Sequence, residues 1–505
     1  METSRYRHEY AAYRSAYEGA RYETYNGKTT EARFVAIHER YAELWTRDAI
    51  AELERARDET PATFETERAA LRVLAGAARL EYLEAHAREV TDELSRCEAS
   101  SRVAWGGGHL GWREGWAWLA AEADATRRRE LGAGLIDAAQ ACDDLRAAHL
   151  ERLRTAAREL DFESYNALLN AATNTDAENL LAAARVVLER TSAVYEPRLA
   201  AWAARRLPPG DARTPDFADE PFFVRLSHLD HYFPPGGARA AFETTMRGLG
   251  VRVGQQENLR VVESRHSEAG RARCFGVRAP EDVRLVFNAR SGADFYRRFF
   301  YEAGRAQHFA WVSREVTSRH PEFVHAPDGA TSAGFGFLFR ALFTDRAWLT
   351  ETLGLRASDA EEIARECALV ELHDARRSTA RVIDQFELFA APDPRAESLA
   401  SGFASRRQEA TGFRTAPALH LPETARRRAA EELRGRLFAA SLLEYLRTRH
   451  GRRWWARPAA GDELVDLWNT GSRYAVEELA PLAGAGALDA ELLSETLNAA
   501  AGEGE

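Results

Sequence analysis

Residues 299–310 read FFYEAGRAQHFA and form the most informative stretch of the chain. Apolar residues recur there at intervals of three and four, which is typical of an amphipathic helix. On such a helix Tyr301 and Arg305 lie one turn apart on the same face, and Glu302 lies within reach of Arg305. The segment therefore predicts a helix that presents a carboxylate, a guanidinium and a phenol together.

The sequence around this segment predicts a small sheet before it and a mainly helical chain elsewhere. Three short apolar, β-branched stretches read as strands, at 259–263, 272–277 and 283–287. Residues rich in Ala, Leu, Glu and Arg predict helices at 34–54, 65–96, 127–160 and 176–206. The Trp-Gly-Gly-Gly run at 105–108 predicts a loop. Helical periodicity returns at Gly292 and continues to the end of the chain. We expect an N-terminal helical lobe over 1–207 and a second lobe over 208–505, with a cleft between them.

These features together resemble the thimet-oligopeptidase and oligoendopeptidase F family of zinc peptidases. The active-site helix of that family reads His-Glu-x-Gly-His-x-x-His, and Glu302, Gly304 and His308 match it. The strand region before the helix is similar, and residues 332–339 (SAGFGFLF) resemble a family segment that reads Thr-Glu-Gly-Tyr-Ala-Phe-Leu. The likeness is usable from about residue 259 to 478. It implies a mainly α-helical fold with a small β-sheet beside a deep central cleft that holds an extended peptide.

The resemblance also indicates that the zinc site is lost. Tyr301 and Arg305 stand at the two histidine positions, and Ala333 stands at the inferred third ligand. A catalytic zinc ion needs three protein donors, and a guanidinium has no acceptor to offer it. We therefore expect neither a metal nor another cofactor. A peptidase with a relocated metal is the third possibility, with His308, His320, His325 or the pair His228 and His231 as ligands.

The altered helix suggests roles for several side chains. Glu302 is a candidate general base, and Arg305, helped by Tyr301, is a candidate holder of an anionic or leaving group. Their spacing is equally that of an ordinary helix salt bridge without a function. The candidates for substrate binding are His308 and His325, which could line the cleft, and Tyr445 and Tyr474, which could stand for the C-terminal tyrosines of the family.

Two functional hypotheses follow. The first is a metal-independent pseudopeptidase that has become a biosynthetic enzyme for an amino-acid-derived or peptide-like substrate, through an intramolecular substitution or cyclisation. An acidic carrier protein is one way in which such a substrate would be presented. The second is a non-catalytic pseudopeptidase that binds a peptide or a partner protein. Whether the chain is an enzyme stays open at this point.

The composition restricts the partners and the compartment. The net charge of −10 argues against nucleic acid as a partner. No apolar run is long enough to cross a bilayer, and the polar N-terminus shows no secretory signal. The four cysteines lie far apart without a CxxC pair, so we expect free thiols and a cytoplasmic location. Lys28 is the only lysine, which nearly excludes catalysis by a lysine amine.

Overall fold

The computed structural model describes residues 2–28, 31–210, 213–264, 271–425 and 428–502. Helices dominate it. In chain order they are α1 (Thr3–Tyr25), α2 (Glu31–Arg40), α3 (Arg47–Glu59), α4 (Glu65–Ser100), α5 (Trp112–Ala121), α6 (Ala125–Gln140), α7 (Asp143–Glu159), α8 (Tyr165–Thr173), α9 (Ala177–Arg206), α10 (Glu220–Arg225), α11 (Gly237–Gly248), α12 (Ala293–Trp311), α13 (Arg314–Arg319), α14 (Ala330–Arg340), α15 (Arg346–Leu353), α16 (Ala357–Ala390), α17 (Glu397–Thr411), α18 (His420–Thr424), α19 (Ala429–His450), α20 (Pro458–Asn469), α21 (Val476–Leu482) and α22 (Ala490–Gly502).

In the part of the chain that the structure describes, five strands form two small sheets. They are β1 (Arg102–Trp105), β2 (Gly108–Gly111), β3 (Leu259–Glu263), β4 (Arg273–Arg278) and β5 (Asp282–Phe287). In the larger sheet β5 is central, pairing parallel with β3 and antiparallel with β4. This sheet and α12 share one hydrophobic core, so the strands fix the position of the helix that carries Glu302 and Arg305.

The mainly helical class, the three strands and the long helices at 65–96 and 176–206 are confirmed. Two predicted helices are each divided. The region 34–54 breaks at a short 3-10 helix, Ala42–Trp45, after which the Thr46 side chain caps α3. The region 127–160 divides between α6 and α7. Both breaks lie inside alanine- and charge-rich sequence, where helix propensity is nearly uniform and gives no warning.

One expectation in the N-terminal third was correct only in part, and another was wrong. Within the loop predicted at 105–108, Gly106 and Gly107 form a turn, whereas Trp105 ends β1 and Gly108 begins β2, and these two strands pair antiparallel. Cys97 and Cys142, expected to be free thiols, form a disulfide, with their Cα atoms 6.0 Å apart. The fold brings the end of α4 against the start of α7, which the sequence separation conceals. Cys274 and Cys367 are free and buried.

The N-terminal and C-terminal helices are not packed independently. One core joins α1, α3, α4, α7 and α8, and it also takes in Leu388, Phe389 and Leu421 from the C-terminal half. The predicted lobe boundary at 207 coincides with the end of α9. Within the part of the chain that the structure describes, no helix is long and apolar enough to span a membrane.

Candidate functional site

A deep cleft of about 890 Å³ separates α1, α2, α4 and α8 from the C-terminal helices. Its far wall comes from residues 325–327, α16 and the start of α19. At its inner end it continues into a chamber of about 120 Å³, since Arg14, Arg21 and His325 line both spaces. We call this smaller space the inner chamber. It is the place where α12, α14 and α1 meet.

Arg305 is held rigidly on the wall of the inner chamber. Its Nη1 donates to Oε2 of Glu302 at 2.9 Å, and its Nε donates to Oγ of Ser332 at 3.1 Å. The Arg305 side chain nevertheless keeps 27% of its surface exposed. Although burial opposes it, Glu302 raises the pKa of Arg305, so the guanidinium stays charged. The result is a fixed cation with donors left for a ligand.

Glu302 lies behind Arg305 rather than in the chamber lining. Its Oε2 accepts a second hydrogen bond, from the backbone N–H of Cys274 on β4, at 3.0 Å. The carboxylate thus joins α12 to the sheet and orients Arg305. Burial raises the pKa of the Cys274 thiol, so this cysteine is not a thiolate nucleophile.

The first helix supplies the opposite wall of the inner chamber. Arg14, Glu18 and Arg21 all line it. Glu18 accepts from Arg21 at 2.7 Å and from Arg14 at 3.2 Å. Although burial alone would raise the pKa of Glu18, Arg21 and Arg14 lower it to about 2. With Arg305, these residues place three arginines in the chamber lining. Glu18 and Glu302 accept hydrogen bonds from them, and Arg14 also lies 4.0 Å from Glu81 of the cleft. Asp328 is matched by Arg434 at 2.9 Å.

Sequence analysis did not identify these α1 residues as part of a site. A signal was present, however. Tyr6, Tyr10 and Tyr13 mark the apolar stripe of α1, and all three are buried. Arg14, Glu18 and Arg21 form a second stripe at spacings of four and three. A helix with an aromatic stripe and a separate charged stripe is one that faces a polar cavity.

Of the candidates for substrate binding, the structure places His325 in the chamber. Its Nε2 bonds to the carbonyl oxygen of Gly276 at 2.8 Å, and Tyr10 donates to its backbone carbonyl at 2.7 Å. Burial, with a contribution from Arg14, lowers the pKa of His325 to about 4, so the ring is neutral at physiological pH. Tyr474 lines a small cavity that shares Asp328 and Ser472 with the chamber.

The other candidates lie elsewhere. Sequence analysis offered His308 as a residue that could line the cleft. In the structure it is fully buried between Phe309 and Phe335 and does not line the cleft. Burial lowers its pKa to about 4, against the effect of the Gly471 backbone. The Tyr301 ring packs against Phe337, at 5.0 Å between centroids. Burial raises the pKa of Tyr301 to about 12.

Tyr445 lies on α19 next to Glu463 and Gly484. It lines neither the cleft nor the inner chamber. Its assignment as a tyrosine of the site came from the resemblance alone, and it lies about three turns along α19 from Arg434, the last α19 residue in the cleft lining.

Two glycines, Gly304 on α12 and Gly336 on α14, allow these two helices to pack closely. A Cβ on Gly304 would lie 2.6 Å from the carbonyl oxygen of Phe335, and one on Gly336 would lie 2.7 Å from the Tyr301 ring. Ala333, the inferred third ligand position, packs against Gly435 of α19. The α14 side chain that reaches Arg305 is Ser332.

Known structures share this architecture over nearly their whole length. An oligoendopeptidase F of Bacillus anthracis superposes with a TM-score of 0.62 at 13% identity, covering 94% of this chain and 86% of that one. PZ peptidase A, solved with an inhibitor, gives a TM-score of 0.67 at 13% identity, covering 95% and 88%. The Pyrococcus furiosus carboxypeptidase gives 0.64 at 14% identity, covering 98% and 97%.

The fold is that of the oligoendopeptidases. No family model matches the sequence, and no curated protein matches it. The identities are low enough that the likeness establishes the fold and leaves the activity open.

The zinc ion that the resemblance implies does not fit the side chains at this site. Arg305 is a cation without an acceptor, and its guanidinium takes up the Glu302 carboxylate. Over the described ranges, no three His, Cys, Asp or Glu side chains converge in a way that could hold a metal ion. The chemistry considered below therefore uses the side chains alone.

Proposed function

We propose that this chain is a metal-independent enzyme acting on an amino-acid-derived or peptide-like substrate, whose anionic group binds at Arg305. The observation that carries this proposal is the inner chamber itself. Arg305 is fixed by Glu302 and Ser332, yet it remains partly exposed in a chamber that opens into a cleft of about 890 Å³. Preorganised guanidinium donors are well suited to carboxylate and phosphate groups.

The specific reaction that we propose is an intramolecular substitution. A substrate amine attacks a carbon atom of the same molecule, so that a carbon–nitrogen bond forms while the bond to the leaving group breaks. The leaving group departs with the bonding electrons and is stabilised by Arg305. Glu302 takes the proton from nitrogen through Oε1, which accepts no hydrogen bond from the described residues, whereas Oε2 holds Arg305 and the Cys274 N–H. Because Glu302 lies outside the chamber lining, this transfer passes through one bridging water.

A second candidate is a non-catalytic protein that binds a peptide. The position of Glu302 favours it, because this carboxylate already accepts two hydrogen bonds and lies behind Arg305. In that case Glu302 only orients the arginine. The two candidates agree on the role of Arg305 and differ on whether Glu302 moves a proton.

The shared part is tested with trialanine and its C-terminal amide, by calorimetry in the presence of a chelator. We expect the free carboxylate to bind at least about tenfold more tightly than the amide, since charge-assisted hydrogen bonds are the stronger ones. Arg305→Met should remove that preference. Arg319→Met, at an exposed arginine of α13, should retain it. Equal binding of the acid and the amide by the wild-type protein would refute anion binding at Arg305.

The catalytic part is tested with amino acids and dipeptides that carry a phosphoryl leaving group, beginning with O-phosphoserine and alanyl-O-phosphoserine. Phosphorus NMR follows release of phosphate, and proton NMR distinguishes a cyclised product from an eliminated one. For a probe that turns over, Glu302→Gln should reduce the rate at least a hundredfold. An unchanged rate would exclude Glu302 as the base. Binding across the set without turnover would favour the second candidate.

A further inference from the structure

A separate cavity, of about 360 Å³, lies between α14, α16, α19 and α22. It shares no lining residue with the cleft or the inner chamber. Its walls are mostly apolar, with Leu443 from α19 and Leu493 and Leu497 from α22. Its volume lies within the range of about 300–1,000 Å³ that is usual for small-molecule sites.

Arg436 lines this cavity and donates a hydrogen bond to no acceptor among the described residues. It is 7% exposed, and its guanidinium lies over the Phe337 ring at 4.2 Å. The nearest carboxylate, on Glu371, is 3.6 Å away, which is too far for a hydrogen bond. Its Nε is buried and unpaired among the described residues. A buried arginine with no acceptor is unusual, because buried polar groups are almost always hydrogen-bonded.

The neighbouring carboxylates are already occupied. Glu371 accepts from Arg297 at 2.8 Å and from Arg340 at 2.5 Å. Asp374 accepts from Arg340 at 3.0 Å and lies 3.5 Å from Arg297.

Three arginines therefore surround these two carboxylates, and Arg436 has the weakest pairing of the three, an ion pair with Glu371 at 3.6 Å. Glu432, which also acts on Arg436, accepts a hydrogen bond from Arg381. Leaving a buried donor without an acceptor is costly, and an anion bound in the cavity would supply that acceptor.

The lining combines charged and apolar side chains. Besides Arg436 and Glu371 it holds Arg447 from the last turn of α19 and the exposed acids Glu444 and Glu495, and most of its remaining residues are apolar. A ligand that pairs with the buried Arg436 and covers the apolar residues has one negative charge and an aliphatic body. A doubly charged group would be disfavoured, since Glu371 lies next to the arginine.

We infer that this cavity binds a medium-chain aliphatic carboxylate, with its carboxylate on Arg436 and its chain against Leu443, Leu493 and Leu497. The site is independent of the reaction proposed for the inner chamber. It would be filled even if that reaction were wrong.

Calorimetry with decanoate, below its micellar concentration, tests this inference on the full chain, with decanol as the uncharged match. We expect decanoate to bind with a 1:1 stoichiometry and at least about tenfold more tightly than decanol. Arg436→Met should abolish that difference. Equal binding of the acid and the alcohol, or undiminished binding by the variant, would overturn the assignment.

A second variant keeps the test valid if Arg436→Met does not fold. Leu497→Trp should fill the cavity and reduce decanoate binding at least tenfold. The matched control is Leu482→Trp on α21, where the leucine is 64% exposed and lines none of the cavities described above. Retention of decanoate by Leu497→Trp would place binding elsewhere and refute the site.

Discussion

The inner chamber and the network around Glu220 are made of similar side chains but differ in what remains for a ligand. Glu220 accepts from His373 at 2.8 Å and from Arg407 at 3.1 Å, and His373 bonds in turn to Tyr195 at 2.7 Å. These four residues are all buried, whereas Arg377, 3.5 Å from Glu220, is partly exposed. In the chamber, Arg305 is paired once with a carboxylate and remains partly exposed. An ion pair can serve a ligand only where donors stay accessible, and burial distinguishes the two cases.

The electrostatics of the closed network are those of a structural element. Although burial would raise the pKa of Glu220, Arg377 and Arg407 hold it well below its usual range. The network joins α10, α16 and α17, with α9 attached through Tyr195. Removal of Arg407 should leave the buried Glu220 with His373 and the partly exposed Arg377 as its remaining partners.

The largest effect on stability is expected at the closed network. Arg407 is 2% exposed, and Arg407→Met should reduce the free energy of unfolding by about 3–5 kcal/mol, because Glu220 loses a buried partner. Urea denaturation followed by circular dichroism measures the change. The surface variant Arg319→Met should change stability by less than about 0.5 kcal/mol. A loss below about 1 kcal/mol at Arg407 would mean that this network is not the structural element described here.

The next largest effect on stability concerns the contact between α12 and α14. Gly304→Ala should cost about 1–3 kcal/mol, because its methyl group would meet the Phe335 carbonyl oxygen. The matched control is Gly402→Ala on α17, where a Cβ would meet nothing within 4 Å. There alanine should stabilise the helix by up to about 1 kcal/mol. Equal effects of the two substitutions in urea denaturation would contradict the close packing of α12 and α14.

A third, smaller effect concerns the pH dependence of stability. Because the folded pKa of His325 is about 4 and the unfolded value is near 6.5, the unfolded state binds more protons between these values. The contribution of the neutral ring is complete above pH 6.5 and is lost as the pH falls towards 4. At pH 5.5 the loss is about 1.4 kcal/mol. His325→Gln should flatten the stability profile over that window by this amount.

Other buried histidines titrate in the same window, so the wild-type profile alone does not isolate His325. His8, an exposed residue at the start of α1, provides the control, and His8→Gln should leave the profile unchanged. A profile that is identical for wild type and His325→Gln would show that this ring is not held neutral in the chamber wall.

The sequence was most informative where local pattern and tertiary role coincide. The strands before α12 and α12 itself were predictable, because period-two and period-3.6 patterns follow directly from burial of one face. The pairing of Glu302 with Arg305 was predictable as well, since both lie on one helix. The resemblance supplied the cleft, which no local pattern contains.

What the sequence did not reveal depends on contacts between distant segments. Arg14 and Arg21 reach the chamber because α1 crosses the cleft and packs its C-terminal tyrosines, Tyr22 and Tyr25, on Phe275 of β4. The Cys97–Cys142 bond depends on the meeting of α4 and α7. His308 matched a family position yet lies in the core. Each of these needs the three-dimensional register of helices, which spacing within one segment does not determine.

The smallest effect on stability is expected at Arg305, and it tests the comparison most directly. Arg305→Met should reduce the free energy of unfolding by about 1 kcal/mol or less, because the arginine is partly solvated and Glu302 keeps the Cys274 N–H. The same variant should lose the preference for trialanine over its amide. Arg305→Met should thus affect ligand binding more than stability, whereas Arg407→Met should affect mainly stability. A stability loss at Arg305 as large as that at Arg407 would mean that both pairs are structural. Ligand binding in the chamber would then lose its support.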